Sequence, residues 1–443
     1  MDEKTIRVSA IQELKLHGEY RSVKDLEDAI VEAVLAGAAG LYREGWAVFQ
    51  EGWLEANRDR YIAIRWRERR MITPFGAVMV PARVIREREA EQGGYHSLVK
   101  MLRRGLATRE LSPAVELAAL EAAPEQNYRP AARRLWQWCR VRVSHWVVWS
   151  CVQYYGHKLQ EQEERDWWPE KALKRKTGIV VTEIDTAILR TQRWGEARRG
   201  PEHFGMHVGV HYTGREPIGW LRRKDVRLCD KTVLVSTGGI GTFGNMLRKQ
   251  RDRHYGGGGY LSVMLSDGDE GLKWVREREF PNSVWLLDRW HIAEKVRTYV
   301  GNNDIEYARI MRGVYECRSE AVLEAIRTSD QRLQQRRPRE FRELFGYVLG
   351  NREGIEAYRQ IPKKFRRSVG RKIAAVRAGS GVIEKQVEVQ VNRRFKWQGR
   401  SWSPIRADRL AQLAWLQRDR TNWRHWWDKQ CLSTTRVNPS WDP

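Results

Sequence analysis

The chain has 443 residues, enough for two or three domains and a substantial core. Its 80 Lys+Arg against 56 Asp+Glu leave a net charge of +24, which asks for a polyanionic partner, nucleic acid first among them. No apolar run approaches the roughly 20 residues that span a bilayer, the N-terminus lacks a signal-peptide layout, and the five cysteines form no CxxC pair; a membrane protein, a disulfide scaffold and a zinc knuckle are excluded as expectations, and a reducing cytoplasm is the expected setting.

Residues 1–22 carry no strong pattern. From Lys24 to Asn57 apolar residues recur at spacings of three and four, the mark of a helix. Gly37, Gly40 and Gly45 weaken it and predict a break or a close helix contact. Arg58 to Arg70 is dense in arginine. Ala77 to Arg86 reads as one arm of a short β-hairpin, with Pro81 implying an edge position. Ser112-Pro113 opens a helix to about Ala123, Tyr128 to Cys139 forms a second, and Ser144 caps a third that starts at His145. That spacing fits a helix-turn-helix whose last helix enters a major groove, with Ser144 and His145 facing DNA; a plain three-helix bundle is the other reading. Glu161 to Lys176 is charged and reads as a linker.

The texture then becomes α/β. Ile179–Leu189, Met206–Tyr212 and Lys231–Ser236 read as strands, although WLRRKDVRL competes for the third place. Thr242–His254 reads as a helix, and LSVML before Ser266-Asp267-Gly268 as a fourth strand. An amphipathic helix over Asp269–Glu279 and a strand over Ser283–Leu287, ending in Asp288 with His291 beyond, complete the run. Three strands in hairpin order, then helix, strand, helix, strand, is the order of an RNase H-like fold. From His291 to about Arg377 the pattern is helical and looks like an insertion. Lys363–Arg377 holds seven basic residues and no acid, including Arg366, Arg367, Arg371 and Lys372, a footprint for phosphates. Gly379-Ser-Gly381 then opens a helix with Glu384 in its first turn, followed by Arg393, Arg394, Lys396 and Arg400 and a tryptophan-rich tail.

Asp185, Asp267 and Glu384 each stand at a strand end or helix start beside glycine or an apolar run. Carboxylates delivered by separate elements are what two-metal phosphoryl transfer needs, because they hold two Mg²⁺ ions ~3.5–4 Å apart. Asp269 and Asp288 are auxiliary candidates, Asp269 also reading as a helix cap; His291 either orients a phosphate or packs structurally. His207 and His211 share a strand face without a third ligand and read as structural. Gly238–Gly241 lacks nucleotide-binding spacing. Trp397 and Trp402 are candidates for stacking on a base.

Several stretches together resemble the DDE transposases of bacterial insertion sequences, in the Mutator-related group with its ISLre-type and ISKra-type families. They are EID at Glu183–Asp185, SDGDEGLKW at Ser266–Trp274, FPNSVWLLDRWH at Phe280–His291, and GSGVIEKQV…RRFKWQGRSWS from Gly379 to Ser403. Thr73–Gly76 and the helices at Tyr128–Gln153 add to the likeness, which covers most of residues 70–405. Thr186 departs from it, standing where relatives have glycine. The resemblance implies Asp185, Asp267 and Glu384 as triad and metal ligands, with Mg²⁺ as cofactor and Mn²⁺ as a substitute. It further implies double-stranded DNA as partner (transposon ends and target), a homodimer or higher oligomer on DNA, and a bacterial, nucleoid-associated location.

The expected organisation is a helical region with the hairpin over 1–110, a helix-turn-helix-like domain over 111–160, a linker over 161–176, and an RNase H-like core over 177–296. A helical insertion over 297–377, the last core helix over 378–410, and a tail over 411–443 follow. The expected function is nicking and joining of DNA at terminal inverted repeats. The alternatives are a transposase-derived DNA-binding protein without cleavage and a stand-alone RNase H-like nuclease.

Overall fold

A computed structural model describes residues 23–89, 94–103, 106–108, 110–164, 176–192, 201–217, 226–365, 382–396, 400–418 and 420–433. Arg366, Arg367, Arg371, Lys372 and Trp397, and most of the expected linker, lie outside the described residues. The chain divides into two compact units, residues 1–161 with 416–443, and residues 162–415.

The first unit begins with α1 (Val23–Ala56), which runs unbroken for 34 residues. The expected break is absent, and a Cβ added at Gly40 or Gly45 would meet nothing, so neither glycine serves a close contact there. β1 (Tyr61–Thr73) and β2 (Gly76–Glu87) form a long hairpin, and β3 (Tyr95–Ser97) adds a third strand. The arginine-dense stretch is thus a strand, and β2 is central rather than at an edge. Pro81 is tolerated there because β3 pairs only with Val84–Arg86. Beside Pro81 the open side of β2 is closed by the buried Gln50 of α1. Its amide donates to the Pro81 carbonyl (2.8 Å) and accepts from the Arg83 N–H (2.9 Å), standing in for a neighbouring strand.

α2 (Leu98–Leu102) covers the sheet; α3 (Pro113–Glu125), α4 (Tyr128–Cys139) and α5 (His145–Glu164) follow with the predicted starts. Ser112 caps α3 through the Val115 N–H, and the Ser144 hydroxyl accepts from the Trp146 N–H. One buried carboxylate ties α3 to α5 and to the loop that precedes α3. Glu116 accepts from the Ala107 and Thr108 N–H groups and from the hydroxyls of Thr108 and Tyr155.

The second unit is a mixed α/β structure. β4 (Ile179–Arg190) and β5 (His203–Tyr212) pair antiparallel; β6 (Gly214–Pro217) and β7 (Val226–Cys229) form a separate ladder. The WLRRKDVRL stretch therefore contributes β7, not a strand of the main sheet. β8 (Thr232–Ser236) pairs antiparallel with β5. α6 (Ile240–Tyr255) leads to β9 (Leu261–Ser266), which pairs parallel with β4, and α7 (Glu270–Glu279) leads to β10 (Val284–Leu287), parallel to β9. The order across the sheet is β10-β9-β4-β5-β8.

Ile184, Leu234 and Met264 on one face pack against Phe243 and Leu247 of α6 and Leu272 and Val275 of α7. A Cβ on Gly209 would lie 2.5 Å from Leu247, so glycine on β5 lets α6 press onto the sheet. The helical segment after β10 comprises α8 (Arg289–Val300), α9 (Asp304–Tyr315), α10 (Ser319–Arg327), α11 (Gln331–Arg336), α12 (Pro338–Gly350) and α13 (Arg352–Glu356). Its core, built on Tyr299, Ile310, Val314, Val322 and Ile326, is continuous with Trp285 and Leu287 of β10. α14 (Val382–Val387) runs into a π-helical segment, Glu388–Lys396, and α15 (Pro404–Arg418) anchors through Asp408, which accepts from the Thr237 N–H (2.7 Å).

The last helix, α16 (Arg420–Ser433), belongs to the first unit. Trp426 and Trp427 pack on the Tyr155 ring, and the Trp423 indole donates to the Glu121 carboxylate. Among the described residues no helix is long and apolar enough to cross a membrane.

Candidate active site

The sheet's alternation decides which side chains meet. Ile184 points into the α6–α7 core, so Glu183 and Asp185 point to the opposite face. There Glu183, 0% exposed, accepts from the Tyr212 hydroxyl (2.5 Å), from Arg215 Nη2 (3.3 Å) and from the backbone N–H of Ile383 (3.2 Å). That last bond fastens α14, and with it Glu384, over the strand that carries Asp185. Sequence spacing pairs Glu183 with Asp185 but hides this role, because Tyr212, Arg215 and Ile383 are distant in the chain.

Asp185 is half-buried near the middle of β4, and its carboxylate accepts from the Thr186 N–H (2.7 Å). The Thr186 hydroxyl is hydrogen-bonded to His207 Nδ1 on β5 (2.8 Å). Asp267 follows β9. Its carboxylate accepts from the Asp269 N–H (2.9 Å), and its carbonyl accepts from the Tyr347 hydroxyl of α12 (2.6 Å). Gly268 has a φ of +82°, and a Cβ there would lie 2.5 Å from Asn351 Oδ1, so the turn after Asp267 is pinned from the helical segment. Asp269 caps α7 through the Gly271 N–H (2.8 Å), as its position before the helix suggested.

Asp288 caps α8 through the Trp290 N–H (2.9 Å), and the Tyr358 hydroxyl donates to the Leu287 carbonyl just before it (3.0 Å). One ligand atom each of Asp288, His291 and Glu384 lies within 4.8 Å of the others. Tyr347, Asn351 and Tyr358 contribute from the helical segment, where sequence spacing does not single them out. Their only sequence signal is aromatic and amide residues within an otherwise apolar-and-charged helical pattern.

The electrostatics tie the acids together. Burial pushes the Asp185 carboxyl above its ordinary value, aided by the Asp267 charge and opposed by the Thr186 N–H, His291 and Lys396. Glu384 is raised first by burial and then by Asp288 and Asp185, with His291 opposing. Among the described residues the donor grouping drawn within 4.8 Å is Asp288, His291 and Glu384, and it includes neither Asp185 nor Asp267; Asp185, Asp267 and Glu384 offer carboxylate oxygens alone, the donor chemistry that a hard divalent ion takes.

The expected cations divide. Arg393 and Lys396 are exposed. Arg394 is buried: it is 5% exposed and lies over the Trp402 ring (4.9 Å), within the wide π-helical turn. Arg400 is half-buried and donates to the Arg394 carbonyl, and the Trp402 indole donates to the Phe395 carbonyl (3.0 Å), so that ring braces the helix end. His211 is fully buried between Leu247 and Thr182. Its Nε2–H donates to the Leu247 carbonyl (3.0 Å), leaving Nδ1 to accept from Thr182 (2.8 Å), and burial pushes its pKa down to about 3, consistent with the structural reading. In the first unit Ser144 is exposed, His145 is half-buried and Trp146 is 61% exposed.

Among solved structures the chain is similar to the Drosophila P element transposase strand transfer complex, at 9% sequence identity and a TM-score of 0.26, over 77% of this chain and 86% of that chain. A likeness this slight bears on neither fold nor chemistry. No curated protein matches the chain. The family described as Uncharacterised protein family (UPF0236) matches residues 19–430, nearly the whole length, and the chain belongs to that family.

Proposed function

We propose that the protein is a DDE-type DNA transposase with an RNase H-like catalytic unit. The observation that carries this reading is the arrangement around β4: a β10-β9-β4-β5-β8 sheet with Asp185 on its central strand, Asp267 after the adjacent parallel strand, and Glu384 on a helix fastened over that strand through Glu183. Acids that feel one another's charge at this place in such a sheet suit cleavage and joining of phosphodiesters.

In this reading Asp185, Asp267 and Glu384 would hold two divalent ions. When bound, Mg²⁺, or Mn²⁺ in its place, supplies the Lewis acidity that activates water or a 3′-hydroxyl and neutralises charge on the scissile phosphate. The chain's own task is placement. Tyr347 fixes the Asp267 backbone, Glu183 fixes the Glu384 helix, and the exposed Lys396 and Arg393 offer charge to DNA phosphates beside the acids. End recognition is assigned to the first unit, where α4 and the turn after it carry exposed Arg129, Arg133, Arg134, Arg140 and Arg142 and no acid, with Trp136, Trp138 and Trp146 also exposed. Ser144 and His145 open the helix that enters the groove. Joining two ends requires a dimer or higher assembly on DNA.

The test is cleavage of labelled DNA carrying the element's own ends, with Mg²⁺ or Mn²⁺, for wild type and Asp267→Ala. Metal-dependent nicking at the end, abolished by the substitution while binding persists, is expected. End binding without nicking would leave a DNA-binding protein, and cutting of RNA–DNA hybrids without regard to the ends would leave a stand-alone nuclease.

A further inference from the structure

Beside the carboxylate triad, a second donor set has the geometry of a cation site. Asp288 and His291 stand three residues apart at the start of α8, a spacing that puts both on one side of the first turn. α14 brings Glu384 to them, and the ligand atoms of the three residues lie within 4.8 Å of one another. Donors bound at roughly 2.0–2.2 Å to a single ion sit about 3–4 Å apart, so small side-chain rotations close the set.

A second observation points to a cation. Asp288 is 4% exposed, and its cap bond to the Trp290 N–H satisfies one oxygen. The neighbouring Arg289 does not neutralise it: its guanidinium lies over the Tyr358 ring (4.0 Å) and donates to Cys317 Sγ. Among the described residues no lysine or arginine forms an ion pair with Asp288; the charge of Arg215 reaches it, but that guanidinium is paired with Glu183 (3.3 Å). A carboxylate this deeply buried is costly without a counter-charge of its own.

We infer that Asp288, His291 and Glu384 form a mixed nitrogen–oxygen site for a first-row transition-metal ion. Imidazole favours such ions over Mg²⁺, whereas Asp185, Asp267 and Glu384 present only hard oxygens. Glu384 has two carboxylate oxygens and can serve both sets. The site goes beyond the transposase reading, because occupying it requires neither DNA nor turnover.

The experiment titrates Co²⁺ into the tag-free full chain in excess Mg²⁺, following visible d–d absorption and, independently, broadening of the His291 ring signals in histidine-labelled protein. Wild type is expected to bind Co²⁺ with His291 broadened. His291→Gln and Asp288→Asn are each expected to weaken binding by about 10–100-fold, and Asp267→Asn to leave it near wild type. Asparagine still accepts from the Trp290 N–H, so Asp288→Asn keeps the α8 cap; far-UV circular dichroism checks both variants. No Co²⁺ binding by folded wild type, binding without broadening of His291, or loss in Asp267→Asn but not in Asp288→Asn overturns the site. Absence of DNA nicking would sink the transposase reading and leave these results standing.

Discussion

Replacing Glu183 with glutamine tests whether a buried carboxylate ties the candidate active site together. The substitution keeps the shape and one acceptor but turns the other into a donor. If the new amide nitrogen faces Ile383, two N–H donors oppose each other; if it faces the other way, it meets Arg215 Nη2, at 3.3 Å from the native oxygen. Either orientation loses a charge-assisted bond, each of which contributes about 1.5–3 kcal/mol, and strands a buried donor at about 1–3 kcal/mol. Partial re-pairing with the Tyr212 hydroxyl offsets some of this, giving a net loss of about 3 kcal/mol. For a unit of this size such a loss lowers the melting temperature by roughly 6–12 °C. Thermal unfolding followed by tryptophan fluorescence gives the shift, and Glu183→Gln with Arg215→Gln in a double-mutant cycle gives the coupling. A Glu183→Gln chain that melts within about 2 °C of wild type would refute the reasoning.

Three further outcomes follow from particular contacts. His211 is held neutral, with its folded pKa pushed from 6.5 down to about 3 by burial. The unfolded chain therefore takes up a proton that the folded chain refuses, and stability present above pH 6.5 is lost as pH falls toward 3, by about 1.4 kcal/mol per pH unit at most; denaturant titrations should show a shallower acid slope in His211→Gln, and an unchanged slope counts against the assignment. Gly268→Ala forces a left-handed φ of +82° on alanine and a Cβ against Asn351. It is expected to cost about 2–4 kcal/mol, read as a lowered urea midpoint, and a midpoint at the wild-type value would contradict it. Gln50→Ala strips the Pro81 carbonyl and Arg83 N–H of their shared partner and should destabilise the first unit by about 3 kcal/mol. Rapid hydrogen exchange at the Arg83 amide in the variant is the local check, and continued protection there would argue for a different partner.

The order of the main-sheet strands in the second unit was legible, though the small β6–β7 ladder was not, because strand ends there are abrupt. Ser266-Asp267-Gly268 stops β9, and Pro281-Asn282 separates α7 from β10. β1 was hidden for the opposite reason. Ile64 and Trp66, which mark its alternation, face solvent among arginines, so no buried face announced a strand. Asp288 and His291 were visible as a pair through their spacing, but their meeting with Glu384 depends on a helix nearly a hundred residues away in sequence. Arg394 is buried within a π-helical register, which a periodicity of 3.6 cannot anticipate. The clamps from Tyr347 and Tyr358 are bonds to backbone carbonyls, and a carbonyl carries no mark of side-chain identity.

The placement of α16 has a consequence for biosynthesis. The Trp423 indole reaches Glu121 across 302 positions of sequence, and Trp426 and Trp427 close over Tyr155. A ribosome that has released every residue through α15 has still not delivered the helix that seals these side chains. The first unit, though begun first, receives this helix only after the second unit has been made, and a chain stopped before α16 would leave the Tyr155 ring without that cover. If that unit grips the element's ends, a chain lacking α16 would do so with less stability, which ties DNA recognition to delivery of that helix.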